Sequence, residues 1–408
     1  MRFDRNNLTK LLRSPLLAVG WLASWLVPRD TQLWAFGSGI GFGEGGVSLS
    51  SRAVAAGKRV VWLSQRRTGI DAARAAGYPA WPVHSLRGWW ITLRASTLVV
   101  SHGLGDVNPY AQRGATLVQL WHGVPLKHLH RDAGVTYSLP KFPMSHLAER
   151  LLRWGSERAY ARITHFVAAS EESGRRLASA FGLRDEQLLI AGDPRDDVLL
   201  SESIADRRAE ARAIIESATG RTLRRRILLF APTWRDGEPD PVVPTAKEWD
   251  DIATYATSTG VTCIVRPHPL AIGAYRETMG DRADIILLDV DLVPDITPVL
   301  PACDLLITDY SSIAYDFALL GRPMVYLAPD LEAYQASRGL YEPIELFCGG
   351  APLRTWSATL KRLTELEKPE AARAAQAHAV ATAARVHAFQ DGRNADRVMA
   401  AILGSGAA

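Results

Sequence analysis

Short runs of β-branched and other apolar residues recur along the chain, separated by longer segments with helical character. The runs read as buried strands and the intervening segments as helices. In the first half the strand runs are Leu33–Phe36, Val60–Ser64, Leu98–Ser101, Leu117–Leu120, Ile163–Ala168 and Leu188–Ile190. In the second they are Ile227–Ala231, Thr262–Arg266, Ile285–Leu288, Leu305–Thr308 and Met324–Leu327. Near-continuous apolar strands alternating with helices predict an α/β architecture built on parallel sheets. The charged segment Ser201–Arg226 reads as a helix after the turn Gly192-Asp193-Pro194-Arg195, which puts a domain boundary near residue 200. The expectation is two Rossmann-like domains, 31–200 and 201–408, facing a central cleft, with ligands at the carboxyl ends of the strands. The Ala-rich stretch Pro369–Leu403 reads as terminal helices of the second domain.

Residues 1–30 follow a different pattern. Arg2, Arg5, Lys10 and Arg13 precede a stretch without charge, Ser14–Pro28, whose 15 residues fall short of the ~20 that a spanning helix needs. Ser14-Pro15 has the form of a cap followed by a first-turn proline, so a helix is expected to begin at Pro15. Leu8, Leu11 and Leu12, then Leu16, Val19, Leu22 and Leu26, sit near helical spacing, with Trp21 and Trp25 among them. A basic flank, an apolar stripe and tryptophans describe a helix lying in a membrane interface; packing onto its own domain is the competing reading. A signal peptide has the same basic start, but no small-x-small cleavage pattern follows and a strand run opens at Gln32–Phe36.

Composition narrows the class. Hydrophobic residues at 47% and charged residues at 22% fit a folded globular protein and exclude wholesale disorder or a polytopic membrane protein. Cys263, Cys303 and Cys348 are too few and too scattered for a disulfide framework, which points to a reducing cytosolic compartment. The net charge of +4 hides an asymmetry: through residue 170 there are 21 Lys and Arg against 8 Asp and Glu, and beyond it 26 against 35. The first half is therefore expected to face something anionic, such as a membrane surface or a phosphorylated substrate. Nucleic acid is disfavoured, because the basic half lacks the interleaved aromatics of known readers.

The glycine-rich loop Gly37–Gly46 follows the first strand, and Gly41, Gly43 and Gly46 satisfy GxGxxG ahead of a helix expected near Ser48. A dinucleotide site would want an acidic residue at the end of the second strand; Ser64-Gln65-Arg66-Arg67 stands there instead, which argues against a nicotinamide or flavin cofactor. Gly41 and Gly43 remain candidates for close approach to an anionic ligand. Trp121-His122-Gly123-Val124-Pro125-Leu126-Lys127 follows the strand Leu117–Leu120. His122 stands where a base would take a hydroxyl proton, with Lys127 placed to offset phosphate charge; a structural turn histidine is the plainer alternative. His128 and His130 lie nearby without a carboxylate or cysteine at ligand spacing, so no metal site is expected.

Arg266-Pro267-His268-Pro269 repeats the strand-end arrangement in the second half, where Arg266 and His268 form a phosphate-contacting pair. Thr308-Asp309-Tyr310-Ser311-Ser312 joins a strand to a helix start, where hydroxyls and backbone N–H groups favour an anion. Simple capping by Ser311 or Ser312 is compatible with that, and Asp309 suits orienting work better than phosphate contact. Thr233 and Arg235, in Ala231–Asp236, also sit at a strand end, as candidates for phosphate or nucleotide contact.

Taken together, WHGVPLK at Trp121–Lys127, GDPRDD at Gly192–Asp197, APTWRD at Ala231–Asp236, RPHP at Arg266–Pro269, TDYSSIAYDFALLGRP at Thr308–Pro323 and SRGLY at Ser337–Tyr341 resemble the CDP-glycerol glycerophosphotransferase family, the primases and polymerases of teichoic acids and related capsular polymers. The resemblance implies a GT-B fold, a CDP-glycerol or related CDP-polyol donor, a lipid-linked glycan or polymer acceptor, and a peripheral place on the cytoplasmic face of a bacterial plasma membrane. It implies that His122 is the base and that His268 assists at the phosphates. Asp309, Ser311, Ser312 and Arg338 would contact the donor pyrophosphate, beside the candidates Thr233, Arg235, Arg266 and Thr308. No cofactor is implied, the donor being a substrate. The compact build is expected of a primase or single-addition enzyme. The rival classes are a GT-B nucleotide-sugar glycosyltransferase or UDP-sugar 2-epimerase, and a non-catalytic membrane-surface binding module.

Overall fold

Parallel strands need long crossovers, and the chain supplies them twice. The computed structural model describes residues 15–133, 145–201, 203–235 and 239–405. Arg2, Arg5, Leu8, Lys10, Leu11, Leu12, Arg13, Ser14 and Asp236 lie outside the described residues, as do the side chains of Leu16, Val19 and Trp21. The chain divides into two compact units. The first takes in the residues up to His122 with Leu129–Asp197 and Asp391–Ala408; the second takes in Gly123–His128 and Val198–Gln390.

The first unit carries β1 (Asp30–Gly37), β2 (Arg59–Ser64), β3 (Ala80–Pro82), β4 (Ala95–Val100), β5 (Thr116–Gln119), β6 (His165–Ala168) and β7 (Leu188–Ile190). They form one sheet in the order β3-β2-β1-β4-β5-β6-β7, every pairing parallel. The second unit carries β8 (Arg226–Phe230), β9 (Val261–Val265), β10 (Ile285–Leu287), β11 (Leu305–Thr308) and β12 (Met324–Tyr326), in the order β10-β9-β8-β11-β12, again all parallel. In both sheets the strand order reverses between the first and fourth strands, β1/β4 and β8/β11. That reversal is where α/β sheets open a crevice at their carboxyl ends.

Eleven of these strands coincide with the apolar runs read from the sequence, shifted by a few residues at their ends. β3 was missed because Ala-Trp-Pro is short and Pro82 can donate no ladder hydrogen bond, a composition tolerated only at an edge. Large side chains fill each interior: Trp34, Phe36, Trp62 and Leu49 in one cluster, and Phe230, Trp249, Tyr275 and Trp356 in another. Each such residue stabilises its unit by about 1.5–3 kcal/mol when fully buried. The thiols of Cys263 and Cys303 are buried in the second unit, and desolvation pushes both up to about 12.

Two expectations need correction. The helix after the glycine-rich loop starts at Glu44, not near Ser48, because its glycines serve packing. A Cβ on Gly46 would lie 2.7 Å from the Trp62 ring, and one on Gly41 (φ +109°) 2.8 Å from the backbone of Gly69. The second domain also does not keep both terminal helices. Pro369–Val386 stays with the second unit, where Arg385 pairs with buried Glu342 (2.6 Å) and His387 meets the Tyr315 carbonyl (3.0 Å). Asn394–Ser405 returns to the first unit, packing on Glu44–Ala55 and placing Val398, Met399 and Ile402 in the Trp62 cluster. Its start is capped by Asp197, whose two carboxylate oxygens accept the N–H groups of Asn394 and Ala395, each at 2.8 Å.

The helix expected at Pro15 spans Pro15–Leu26, and no helix among the described residues is long and apolar enough to cross a membrane.

Asp197→Ala should leave two buried N–H groups without acceptors, a loss of about 1–3 kcal/mol. Hydrogen exchange should then quicken in Asn394–Ser405 and stay unchanged in Pro369–Val386.

Candidate active site

In the first unit, Leu120 still follows the sheet, donating to the Val100 carbonyl at 2.8 Å. The next residue, Trp121, turns into the left-handed region (φ 64°), a conformation costing about 1–3 kcal/mol for a bulky residue. Its ring sits edge-on to Phe181 at 5.0 Å and against Phe166, and that packing holds the turn. The turn delivers His122, whose Nδ1 is 3.4 Å from the Ser101 carbonyl. A carbonyl can only accept, so in the neutral ring this contact puts the hydrogen on Nδ1 and the lone pair on Nε2. Gln119 donates to the same carbonyl at 2.8 Å. The buried Ser101 Oγ and Gln119 Oε1 have no hydrogen-bond partner among the described residues.

Sequence reasoning missed what lies over His122. The His102 ring stacks on it, centroids 4.3 Å apart and 6° from parallel. Glu44 Oε2 is 3.4 Å from His102 Nδ1 and accepts the Ser38 hydroxyl at 2.8 Å. Asp106 Oδ2 accepts the backbone N–H groups of Ser101, His102 and Gly103, and burial holds its carboxyl above the ordinary value. The signal was present: Ser101-His102-Gly103 follows β4 as Trp121-His122-Gly123 follows β5.

In the second unit, Arg235 is buried, against the expectation of a phosphate contact. It donates to both oxygens of Asp330 (2.7 and 2.9 Å), to Asp309 (2.8 Å) and to the Thr233 carbonyl (2.5 Å). Burial works to lower its pKa, but the hydrogen bonds and charges of Asp330 and Asp309 outweigh it and drive the value up. The guanidinium lies 5.0 Å from the Tyr310 and Tyr334 rings, which stack 4.0 Å apart. Asp309 also accepts the N–H groups of Thr233 and Tyr310, so it ties the β8 loop to the β11 loop. Thr308 donates its hydroxyl to the Ala231 carbonyl at 2.7 Å. Arg235, Asp309 and Thr308 therefore build the loops, and Thr233 is the member of that set with a buried hydroxyl lacking a partner.

Ser311 and Ser312 are half-buried at the start of Ile313–Ala318, and the Ser312 side chain makes no capping bond. Arg266 donates to the Leu288 and Pro294 carbonyls and is lowered to about 10 by burial, so it bridges the loop after β10. His268 is exposed, stacked on Trp234 at 5.4 Å, and its Nδ1 accepts the Leu270 N–H at 3.2 Å. In the neutral ring the hydrogen then sits on Nε2, the opposite tautomer to His122. Trp234 is a second residue that the sequence reading passed over.

Two motifs meet within the second unit. Lys127 bridges Leu340 in antiparallel fashion, His128 N–H donates to the Gly339 carbonyl (3.2 Å) and Tyr341 N–H to the Leu126 carbonyl (2.9 Å). Lys127 and Arg338 thus lie on paired segments. A Cβ on Gly339 (φ +73°) would sit 2.4 Å from His128 Nδ1, so this pairing needs glycine. Gly41 and Gly43 are buried in the first unit. His130 is bonded to the Tyr160 hydroxyl at 3.0 Å, and no group of three or more His, Cys, Asp or Glu gathers as a metal-ligand set among the described residues.

The chain is similar to known proteins in sequence and fold. Teichoic acid ribitol-phosphate polymerase TarL of Staphylococcus aureus is 29% identical over 244 residues, 59% of this chain and 42% of that protein. The teichoic acid poly(glycerol phosphate) polymerase of Bacillus subtilis is 28% identical over 259 residues, 62% of this chain and 33% of that protein. The matches thus cover less than half of either relative. The structure of the wall teichoic acid polymerase TagF superposes with a TM-score of 0.75 at 20% identity, covering 99% of this chain and 97% of that one, which makes the fold GT-B-like. The profile of the family described as CDP-Glycerol:Poly(glycerophosphate) glycerophosphotransferase matches residues 49–404. The chain belongs to that family.

Proposed function

We propose that this protein transfers a polyol phosphate, glycerol phosphate in the first instance, from a CDP-activated donor to a hydroxyl of a membrane-linked glycan or polymer, releasing CMP. The observation that carries the reading is a histidine after a strand's carboxyl end in each unit, His122 with Nδ1 at the Ser101 carbonyl and His268 with Nδ1 accepting the Leu270 N–H. A neutral His122 with its hydrogen on Nδ1 has its basic nitrogen at Nε2, and a neutral His268 with its lone pair on Nδ1 has its N–H at Nε2, the donor a phosphate contact needs.

In the reaction the acceptor oxygen attacks the β-phosphorus, which bears the polyol. The new P–O bond forms as the bond to the bridging oxygen breaks, CMP departs with that oxygen, and His122 Nε2 takes the hydroxyl proton. His268 Nε2–H, the Ser311 and Ser312 hydroxyls, Thr233 Oγ1 and Arg338 serve the donor phosphates, with Lys127 on the segment paired to Arg338. Catalysis of this kind rests on positioning and charge stabilisation. Arg235, Asp309, Thr308 and Arg266 act at one remove, by holding loops in place.

A lipid-linked acceptor asks for a protein that works at a membrane surface. On Pro15–Leu26 the side chains of Leu22, Trp25 and Leu26 are exposed, and on Ser145–Tyr160 so are Leu147, Leu151 and Trp154. The latter three fall on one face at i, i+4 and i+7, in a helix that also carries Arg150, Arg153 and Arg158. Apolar faces with tryptophan and arginine favour a peripheral contact with an anionic bilayer.

The deciding experiment supplies CDP-glycerol and, separately, CDP-ribitol, with and without a lipid-linked disaccharide. Acceptor-dependent CMP from one donor is expected; silence with both, together with UDP-sugar binding, would overturn the reading. His122→Ala should lower turnover by ~10²–10⁴-fold with folding intact. Arg235→Ala should cost about 3–5 kcal/mol of stability, because Asp309 and Asp330 lose their shared cation. Sedimentation with anionic vesicles should weaken in a Trp25→Ala/Trp154→Ala double variant and as salt is raised.

A further inference from the structure

We propose that Trp234 is a positioning residue for His268: its indole fixes the plane of the imidazole and so aims the Nε2–H at the donor phosphates. The proposal rests on the reading of His268 as a phosphate contact and adds what holds that ring in line.

His268 is exposed on the loop after β9, where a side chain ordinarily exchanges among its rotamers. A planar ring is oriented completely once one vertex and its plane are set. The Leu270 N–H, donating to Nδ1 at 3.2 Å, sets the vertex but leaves the ring able to tilt about that hydrogen bond. Trp234 sets the plane. The two rings lie 20° from parallel with centroids 5.4 Å apart, inside the range of an offset aromatic stack. With vertex and plane both fixed, the direction of Nε2 follows.

A platform is useful only if it is itself immobile, and Trp234 stands between two anchored residues. On one side the Thr233 N–H donates to Asp309 Oδ1 at 2.8 Å. On the other the Arg235 guanidinium donates to Asp309 Oδ2 at 2.8 Å and to the two oxygens of Asp330 at 2.7 and 2.9 Å. It also closes back on the Thr233 carbonyl at 2.5 Å. One carboxylate, its side chain 1% exposed, therefore brackets Trp234 through both neighbours, and Asp330 ties the bracket to the start of Leu331–Ser337. Thr233 and Arg235 are buried while the indole between them is half-buried, so a fixed backbone presents that ring to the imidazole. The charged cluster thereby has a task beyond joining loops: it holds still the surface on which His268 rests.

The test uses the full chain with CDP-glycerol and the lipid-linked disaccharide. A hydrogen bond to charge that develops on the departing CMP acts in the transition state, so a misaligned His268 lowers kcat more than it raises the KM for CDP-glycerol. Trp234→Leu, which keeps apolar bulk without a flat face, should cut kcat by about 10–100-fold, whereas Trp234→Phe should keep most of the wild-type rate. In a His268→Ala background Trp234→Leu should cost nothing further. A loss confined to KM, with weaker CMP binding by calorimetry, would overturn the proposal in favour of an indole that stacks on the nucleotide base. Equal losses in both backgrounds would overturn it in favour of a purely structural residue. The wild-type protein offers a check that needs no variant: NMR should show nuclear Overhauser contacts between the His268 imidazole and an indole, and their absence would sink the proposal. Unmoved kcat in Trp234→Leu beside an impaired His268→Ala would sink it alone. A fully active His268→Ala would instead sink the phosphate reading on which it rests.

Discussion

A parallel strand can be followed by another only if the chain returns to the same end of the sheet, so every loop leaving a strand's carboxyl end emerges along one edge. That constraint gathers the chemistry of both units. In the first, Ser38 and Glu44 follow β1, His102 follows β4 and His122 follows β5. In the second, Thr233 follows β8, His268 follows β9, and Asp309, Ser311 and Ser312 follow β11. Where the strand order reverses, at β1/β4 and β8/β11, crossovers depart to opposite faces and neighbouring loops part. Glu44 and His102 flank one reversal, Thr233 and Asp309 the other.

Within that frame the backbone sets the chemistry of each histidine. An imidazole has two nitrogens and a choice of tautomer; a carbonyl at Nδ1 makes one choice and an N–H makes the other. Ser101, after the neighbouring strand β4, and Leu270, two residues beyond His268, supply those groups, so the proposed division between base and hydrogen-bond donor would follow from backbone groups at the strand ends. The Arg235 cluster works at the next level out. Burying three charges is expensive, and such a group adds little net stability against an apolar alternative. What it fixes is geometry: one guanidinium, Asp309 and Asp330 hold the β8 loop, the β11 loop and the start of the helix Leu331–Ser337 together.

The strands were legible because apolar periodicity is a local property, and so was the carboxyl-end placement of His122, His268, Thr233 and Ser311. Side-chain direction was not. Arg235 reads as a phosphate ligand in a line of text, yet its fork is filled by Asp309 and by Asp330, a residue far along the chain that no local pattern marks. The last helix, Asn394–Ser405, was misassigned for a related reason: its partners, Asp197 and the helix Glu44–Ala55, are distant in sequence. His102 shows the converse. Its strand-end position was visible, but a single histidine before a glycine has no weight until its ring is found lying on His122.

The buried polar atoms without partners carry the argument furthest. Ser101 Oγ, Gln119 Oε1 and Thr233 Oγ1 each forgo a hydrogen bond at a cost of about 1–3 kcal/mol. Trp121 and Glu44 add backbone strain beside two of them. Ser101 and Gln119 share the carbonyl that meets His122, and Thr233 lies in the loop after β8, beside Asp309. On the proposed function, a polar ligand that supplied the missing donors and acceptors would remove that penalty on binding, which is the return that packing does not give.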